Sequence, residues 1–71
     1  MQQIEFKLSG EFVKLDDLLK LVGVCTSGGA AKAMVAAGEV LVNDQVELRK
    51  TCKIRAGQVV GAGGMRIGVI A

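Results

Sequence analysis

Residues 14–46 read KLDDLLKLVGVCTSGGAAKAMVAAGEVLVNDQV, and this stretch decides the fold. It contains two short patterns with apolar residues at helical spacing, separated by a turn that includes a glycine. Two valine-rich runs follow, on either side of a two-residue turn. Apolar periods near 3.6 indicate helices, and alternation indicates strands. We therefore expect a helix–turn–helix–hairpin unit, with the rest of the chain forming a supporting sheet.

The first helical pattern has its apolar residues at i, i+3, i+4 and i+7, namely Leu15, Leu18, Leu19 and Val22. Asp16 and Asp17 fall in its first turn, where carboxylates interact favourably with the positive end of the helix dipole. Gly23 suits the left-handed conformation that ends many helices. The sequence thus predicts a short amphipathic helix that ends before Gly23.

The second helical pattern begins after Thr26 or Ser27, either of which is a suitable N-cap. Its predicted apolar face carries Ala31, Met34 and Val35, and its many alanines allow the first helix to approach closely. Gly38 is the predicted stop. Lys32 points away from the apolar face and is left for contacts outside the core.

Ser27 and Gly28 are candidate phosphate contacts at the start of this helix. Gly28 and Gly29 have no side chains to shield the free backbone N–H groups of the first turn. Phosphates bind at such positive helix ends. The alternatives are a frayed helix start or tight packing against a neighbour, and the sequence leaves them open.

Several short strands are predicted around the helices. Residues 4–8 alternate and read as a first strand, and residues 39–48 read as a hairpin with Asn43-Asp44 in a type I′ turn. Residues 49–55 are expected to continue as extended chain; if they form a regular strand, one face is basic (Arg49, Thr51, Lys53, Arg55) and the other mostly apolar. Residues 58–60 and 65–70 complete the sheet, joined by a flexible connection over residues 61–64.

The assembled expectation is an α+β fold in which two packed helices in the N-terminal half lie against a small, mainly antiparallel sheet. The chain has 71 residues, so we expect a single domain covering residues 1–71. An apolar fraction of 51% supplies one small core and excludes a disordered chain.

Composition excludes several classes of protein. No apolar run reaches the roughly 18 residues of a membrane span, and the N-terminus does not resemble a signal peptide, so we expect a cytoplasmic protein. The chain has no histidine and only two cysteines, Cys25 and Cys52, without CxxC spacing. We therefore expect neither a metal site nor a cofactor. A disulfide between them is not excluded, although a cytosolic chain would keep both reduced.

Catalysis is not expected either. Without histidine, the usual general base near neutral pH is missing. Asp16 and Asp17 are adjacent in a helix and do not face each other. Cys25 has no visible partner base. The sequence therefore favours a binding protein, with no small-molecule substrate.

Charge is distributed unevenly along the chain. Residues 1–48 contain four lysines against seven acidic residues, whereas residues 49–71 contain five basic residues and no acidic one. This asymmetry favours an anionic partner for the C-terminal part, although many solvated surfaces look similar. Two Phe and no Trp or Tyr leave no expected platform for stacking bases. If the anionic partner is RNA, its contacts should therefore involve mainly the phosphates and the shape of the RNA.

The central stretch resembles a known family, the S-four-type RNA-binding domain, also called the αL motif. The resemblance rests on an ordered set of residues: Lys14, Leu15, Asp16, Leu19, Gly23, Ser27, Ala31, Lys32, Gly38, Val40, Val42 and Asn43. The chain is also similar to the small free-standing bacterial members, in which Ser-Gly replaces Ser-Arg at the second helix. In those members a basic run follows the hairpin, here RKTCKIR at residues 49–55.

The resemblance implies binding of structured RNA, with ribosomal RNA and tRNA as candidates, by a monomer that uses the two helices and the adjoining hairpin. The predicted RNA-binding residues are Lys14, Ser27, Gly28, Lys32, Arg49, Lys50, Lys53 and Arg55. Lys14 and Lys32 match basic positions of the family, and Arg49, Lys50 and Lys53 match the basic segment of the small members.

Two departures from the family pattern leave alternatives open. Gly28 stands where many members carry an arginine that contacts RNA, and Asp44 replaces the usual hairpin glycine. These changes suggest a different RNA geometry or a binding face shifted toward residues 49–55. The alternative function is a protein-interaction module that keeps the fold without binding RNA.

Overall fold

The computed structural model describes residues 2–71. Its elements follow the order expected from the sequence, apart from a short strand at Val13–Lys14 that the sequence did not predict. The helices are α1 (Leu15–Leu21) and α2 (Gly28–Ala36). The strands are β1 (Gln2–Lys7), β2 (Val13–Lys14), β3 (Leu41–Val42), β4 (Gln45–Val46), β5 (Lys53–Ile54), β6 (Val59–Ala62) and β7 (Met65–Ile70).

Within these residues the strands form a five-stranded sheet in the order β1-β7-β6-β3-β4. The pairing of β1 with β7 is parallel and the others are antiparallel. Strands β2 and β5 pair with each other in a separate antiparallel ribbon. The predicted α+β fold with a mainly antiparallel sheet is therefore confirmed.

The core lies between the helices and one face of the sheet. Leu15, Leu18 and Leu19 of α1 are fully buried, as the i, i+3, i+4 pattern predicts. From α2, Ala31 and Val35 are fully buried, and the small Ala31 lets the two helices pack closely. The two helices and the sheet therefore share one apolar core.

Local signals for the helix ends are also confirmed. Gly23 and Gly38 have φ values of +84° and +76°, a conformation that other residues adopt at a cost. Of the two N-cap candidates, Ser27 caps α2, because its Oγ accepts a hydrogen bond from the N–H of Ala30 at 3.1 Å. Helix α2 therefore begins at Gly28, with both glycines in its first turn.

The hairpin turn was predicted correctly, although its strands are short. Asn43 and Asp44 have φ values of +52° and +67°, as a type I′ turn requires. Asn43 also ties the hairpin to the sheet. Its N–H donates to the carbonyl of Val59 at 2.8 Å, and its Oδ1 accepts from the N–H of Val59 at 3.0 Å.

The prediction of extended chain throughout residues 49–55 was wrong. The N–H of Cys52 donates to the carbonyl of Arg49, which closes a turn, and the strand covers Lys53–Ile54 alone. The carbonyls of Lys50 and Cys52 accept from the N–H groups of Asp16 and Leu15, at 3.0 and 2.9 Å. Residues 47–52, which we call the capping loop, thus satisfy backbone donors that α1 leaves free.

The flexible connection predicted over residues 61–64 was also only partly right. Gly61 and Ala62 belong to β6 and pair with Arg66 and Met65 of β7. The turn itself consists of Gly63 and Gly64, both with positive φ. Gly61 is therefore a strand residue, and an added Cβ there would lie 3.8 Å from the Cβ of Leu41.

Candidate nucleic-acid interface

The β2–β5 ribbon brings together basic residues that are far apart in the sequence. Val13 pairs with Ile54 and Lys14 pairs with Lys53. Ile54 is fully buried and Val13 half-buried, so this side of the ribbon faces the core. Lys14 and Lys53 are exposed on the other side. Two lysines therefore stand directly opposite each other, an arrangement that destabilises a strand pair.

An aromatic residue lies beside these lysines. The ring centroid of Phe12 is 4.9 Å from Nζ of Lys53 and 5.6 Å from Cζ of Arg55. Phe12 is 38% exposed. We call the surface formed by Phe12, Lys14, Lys53 and Arg55 the ribbon face. It combines three cations with one accessible aromatic ring.

Phe12 is the site residue that sequence reasoning missed. The expectation of no stacking platform rested on the number of aromatic residues, two Phe and no Trp or Tyr. Phe6 does pack against the core. The signal was present in the spacing, because Phe12 and Lys14 are two residues apart. In extended chain they share a face, opposite the apolar Val13.

The capping loop adds Arg49 and Lys50 next to the ribbon. An open cleft of about 410 Å³ is lined by Arg49, Thr51, Cys52 and Lys53. Lys50 is exposed, and its carbonyl caps α1. Five of the predicted binding residues, Lys14, Arg49, Lys50, Lys53 and Arg55, therefore lie on or directly beside the β2–β5 ribbon.

The other three predicted residues lie on α2. Ser27 and Lys32 are exposed, and Gly28 is half-buried. Within residues 2–71, no hydrogen bond or ion pair joins them to the ribbon or to the capping loop. A Cβ added at Gly28 would meet no atom within 4 Å, so the start of α2 is open on that side.

Two arginines are already engaged by acids. Arg49 forms a two-point ion pair with Glu47, with Nε–Oε2 and Nη2–Oε1 distances of 3.0 and 3.2 Å. The side-chain and backbone hydrogen bonds from Arg49 lower the pKa of Glu47 to about 2. Arg66 pairs with Asp44 at 3.2 Å, so the acid at the hairpin tip is balanced.

In the described part of the chain these are the two ion pairs, and neither involves Lys14, Lys53 or Arg55. The charge of the ribbon face is therefore free for an external anion. By contrast, the Nε and Nη2 groups of Arg49 are already engaged by Glu47.

The cysteines do not form a reactive site. Both are free; Cys25 is buried and Cys52 is half-buried. Burial is the main cause that raises the pKa of the Cys52 thiol, and the nearby charge of Glu47 adds to it. A raised pKa disfavours the reactive thiolate. In residues 2–71 there is also no group of three metal-ligating side chains and no helix that could span a membrane.

Comparison with known proteins agrees with the resemblance in the sequence. The family model described as the S4 domain matches residues 6–70. YbcJ of Escherichia coli (strain K12) is 51% identical over 59 residues, which cover 83% of this chain and 84% of YbcJ. RlbA of Bacillus subtilis (strain 168), named as a probable ribosome maturation protein, is 44% identical over 50 residues, or 70% of each chain.

The folds agree as well. The solution structure of YbcJ, described as revealing an αL motif involved in RNA binding, superimposes with a TM-score of 0.73 at 47% identity. The superposition covers 94% of this chain and 86% of that one. Since the family match spans nearly all of the sequence, this chain belongs to the S4 domain family.

Proposed function

We propose that this protein is a non-catalytic RNA-binding protein that contacts structured RNA mainly through its phosphates. The observation that carries the proposal is the ribbon face, where Lys14 and Lys53 face each other without a carboxylate partner in residues 2–71. A polyanion placed against them relieves their mutual repulsion. The motif described in YbcJ supports RNA as that polyanion.

The name of RlbA supports ribosomal RNA as the first candidate, with tRNA as the second. The absence of histidine and the raised pKa of the Cys52 thiol support a non-catalytic role. We also propose that residues 1–71 act as one domain and as a monomer, in the cytoplasm where such RNA is found. Sedimentation at working concentration tests the monomer.

The test is a titration of folded ribosomal RNA fragments and tRNA at several salt concentrations. Each phosphate contact contributes about −0.7 to −0.9 to the slope of log affinity against log salt. The double variant Lys14→Ala/Lys53→Ala should make the slope shallower by about 1.4 to 1.8. The control Lys7→Ala/Lys20→Ala removes the same charge from β1 and from the last turn of α1, and it should leave the slope nearly unchanged.

The opposite outcome favours the protein-interaction module. If the wild-type protein binds none of these RNAs at low salt, or if both double variants lose affinity equally, the proposal is wrong. A protein partner retained after nuclease treatment would then assign the ribbon face to protein contacts.

A further inference from the structure

The environment of Phe12 is unusual for a phenylalanine. Its ring is 38% exposed, and its neighbours on the ribbon face are cations rather than apolar side chains. Continuing the register of Val13 with Ile54 and Lys14 with Lys53 places Phe12 opposite Arg55. The ring therefore stands on the solvent side of the ribbon, level with the charges that are free to bind phosphate.

The cation–π contacts of Lys53 and Arg55 with the Phe12 ring are weak. An exposed cation–π contact is worth about a half to a third of a base stacked on an aromatic ring. Lys53 and Arg55 also gain more from phosphate oxygens, because these contacts are charge-assisted hydrogen bonds. A nucleotide bound at the ribbon face therefore offers stronger interactions to both the cations and the ring. The cations bind its phosphate, and the ring that they leave stacks on its base.

An open cleft of about 410 Å³ adjoins the ribbon face. Its walls are Arg49, Thr51 and Cys52 of the capping loop together with Lys53, the residue that it shares with the ribbon face. Lys14, opposite Lys53, provides a further cation on the ribbon face. A ring, three cations and an adjoining cleft form the combination by which proteins hold single-stranded nucleotides.

We propose that Phe12 is a base-stacking residue. An unpaired nucleobase of the bound RNA, at a bulge, a loop or an end, stacks on the Phe12 ring while Lys53 and Arg55 bind the adjacent phosphates. This inference rests on the proposed function and sharpens it, because the preferred RNA is then a duplex interrupted by an unpaired nucleotide. A base inside a continuous duplex cannot present its face to the ring.

The experiment uses two RNA hairpins that differ by one unpaired nucleotide in the stem, with the full-length protein. Wild type should bind the bulged hairpin about 5- to 100-fold more tightly than the perfect one. Phe12→Leu, which keeps an apolar side chain, should lose that preference and bind the two hairpins about equally. Its salt slope on the perfect hairpin should stay the same, because no charge is removed.

Phe12→Trp provides a second readout that a merely structural role would not change. It should retain the preference for the bulged hairpin, and its fluorescence should be quenched by that RNA alone. If wild type binds both hairpins equally, or if Phe12→Leu weakens both equally, Phe12 does not stack on a base. If wild type binds neither hairpin nor any other structured RNA, the proposed function itself fails along with this inference.

Discussion

The hairpin of β3 and β4 and the ribbon of β2 and β5 are both two residues long, yet they treat charge in opposite ways. The hairpin closes through a local turn, and its acid Asp44 is balanced by Arg66. The ribbon joins segments some 40 residues apart and sets Lys14 against Lys53 with no acid between them. The charge of the hairpin is thus balanced within the protein, and we propose that the unbalanced charge of the ribbon serves an external partner.

The largest expected effect is on stability, because the two pairs of strands differ in how deeply their apolar side chains are buried. Ile54 is fully buried beneath the ribbon, whereas Val46 of the hairpin is 57% exposed. Ile54→Ala should lower the free energy of unfolding by about 2–5 kcal/mol, and Val46→Ala by less than about 0.5 kcal/mol. Chemical denaturation measures both, and equal losses would show that the ribbon is no better anchored than the hairpin.

Lys53→Glu tests whether the ribbon sacrifices stability for binding. It replaces a repulsive pair with an attractive one opposite Lys14, worth about 0.2–1 kcal/mol, and it removes the contact of Lys53 with the Phe12 ring, worth about 0.5–1 kcal/mol. The free energy of unfolding should therefore change by less than about 1 kcal/mol, although a charged residue is reversed. RNA affinity should fall about tenfold or more, because a phosphate contact becomes repulsive. Thermal melting and RNA titration give the two values.

Lys20→Glu is the matched control for that charge reversal. Lys20 lies in the last turn of α1, where a cation stabilises the helix, so this variant should lose stability by about 0.3–1 kcal/mol. Its RNA affinity should change less than that of Lys53→Glu. A ribbon variant that loses stability and keeps its affinity contradicts the distinction between the two regions.

Gly28→Arg sharpens the comparison by adding charge to α2. The open space around Gly28 accepts a side chain, and the variant restores the residue type that many family members carry. We expect RNA affinity to rise several-fold and the salt slope to steepen by about 0.7–0.9. Gly28→Ala separates the effect of helix stability from that of charge; its gain should be smaller than the roughly 0.5–1 kcal/mol of a mid-helix glycine, because Gly28 is the first residue of α2. An unchanged slope with Gly28→Arg would confine the RNA face to the ribbon and the capping loop.

Glu47→Gln should have the smallest effect. It releases Arg49 from its ion pair, so the salt slope should steepen by no more than about 0.9, one additional contact. The folded-state pKa of Glu47, about 2, lies below its ordinary value of 4.5. The stability that this ion pair contributes is therefore complete above pH 4.5 and is lost as the pH falls through about 2. Stability compared between wild type and Glu47→Gln should differ by a constant amount from pH 5 to 8.

Local patterns in the sequence predicted most of the fold. The stripe containing Leu15, Leu18 and Leu19 and the stop at Gly23 depend on neighbours in the chain, and both were correct. The prediction for residues 49–55 was wrong because their conformation depends on α1, which lies more than 30 residues earlier in the chain. The carbonyls of Lys50 and Cys52 accept hydrogen bonds from N–H groups of α1, and these bonds hold the segment in a loop. No local pattern contains that requirement.

In the candidate site, too, the features that depend on neighbouring residues were predicted, and those that depend on distant parts of the chain were not. The basic run after the hairpin was visible in the sequence, and the pairing of Lys14 with Lys53 was not, because strand register over such a separation is a property of the folded chain. Phe12 was missed because the prediction of no stacking platform counted the aromatic residues without placing them on a face of the chain. The exposure of its ring follows from the ribbon, whose inner side is filled by Val13 and Ile54.

The hydrogen bonds from the first turn of α1 to the capping loop connect this helix directly to the loop that carries Arg49 and Lys50. The amide protons of Leu15 and Asp16 are held by carbonyls of the loop that carries Lys50, one residue after Arg49. Any ligand that fixes this loop slows the opening that exposes those two amides to solvent. The exchange rates of the Leu15 and Asp16 amides should therefore fall when a ligand binds the capping loop. They report this binding at backbone positions that need not contact the ligand.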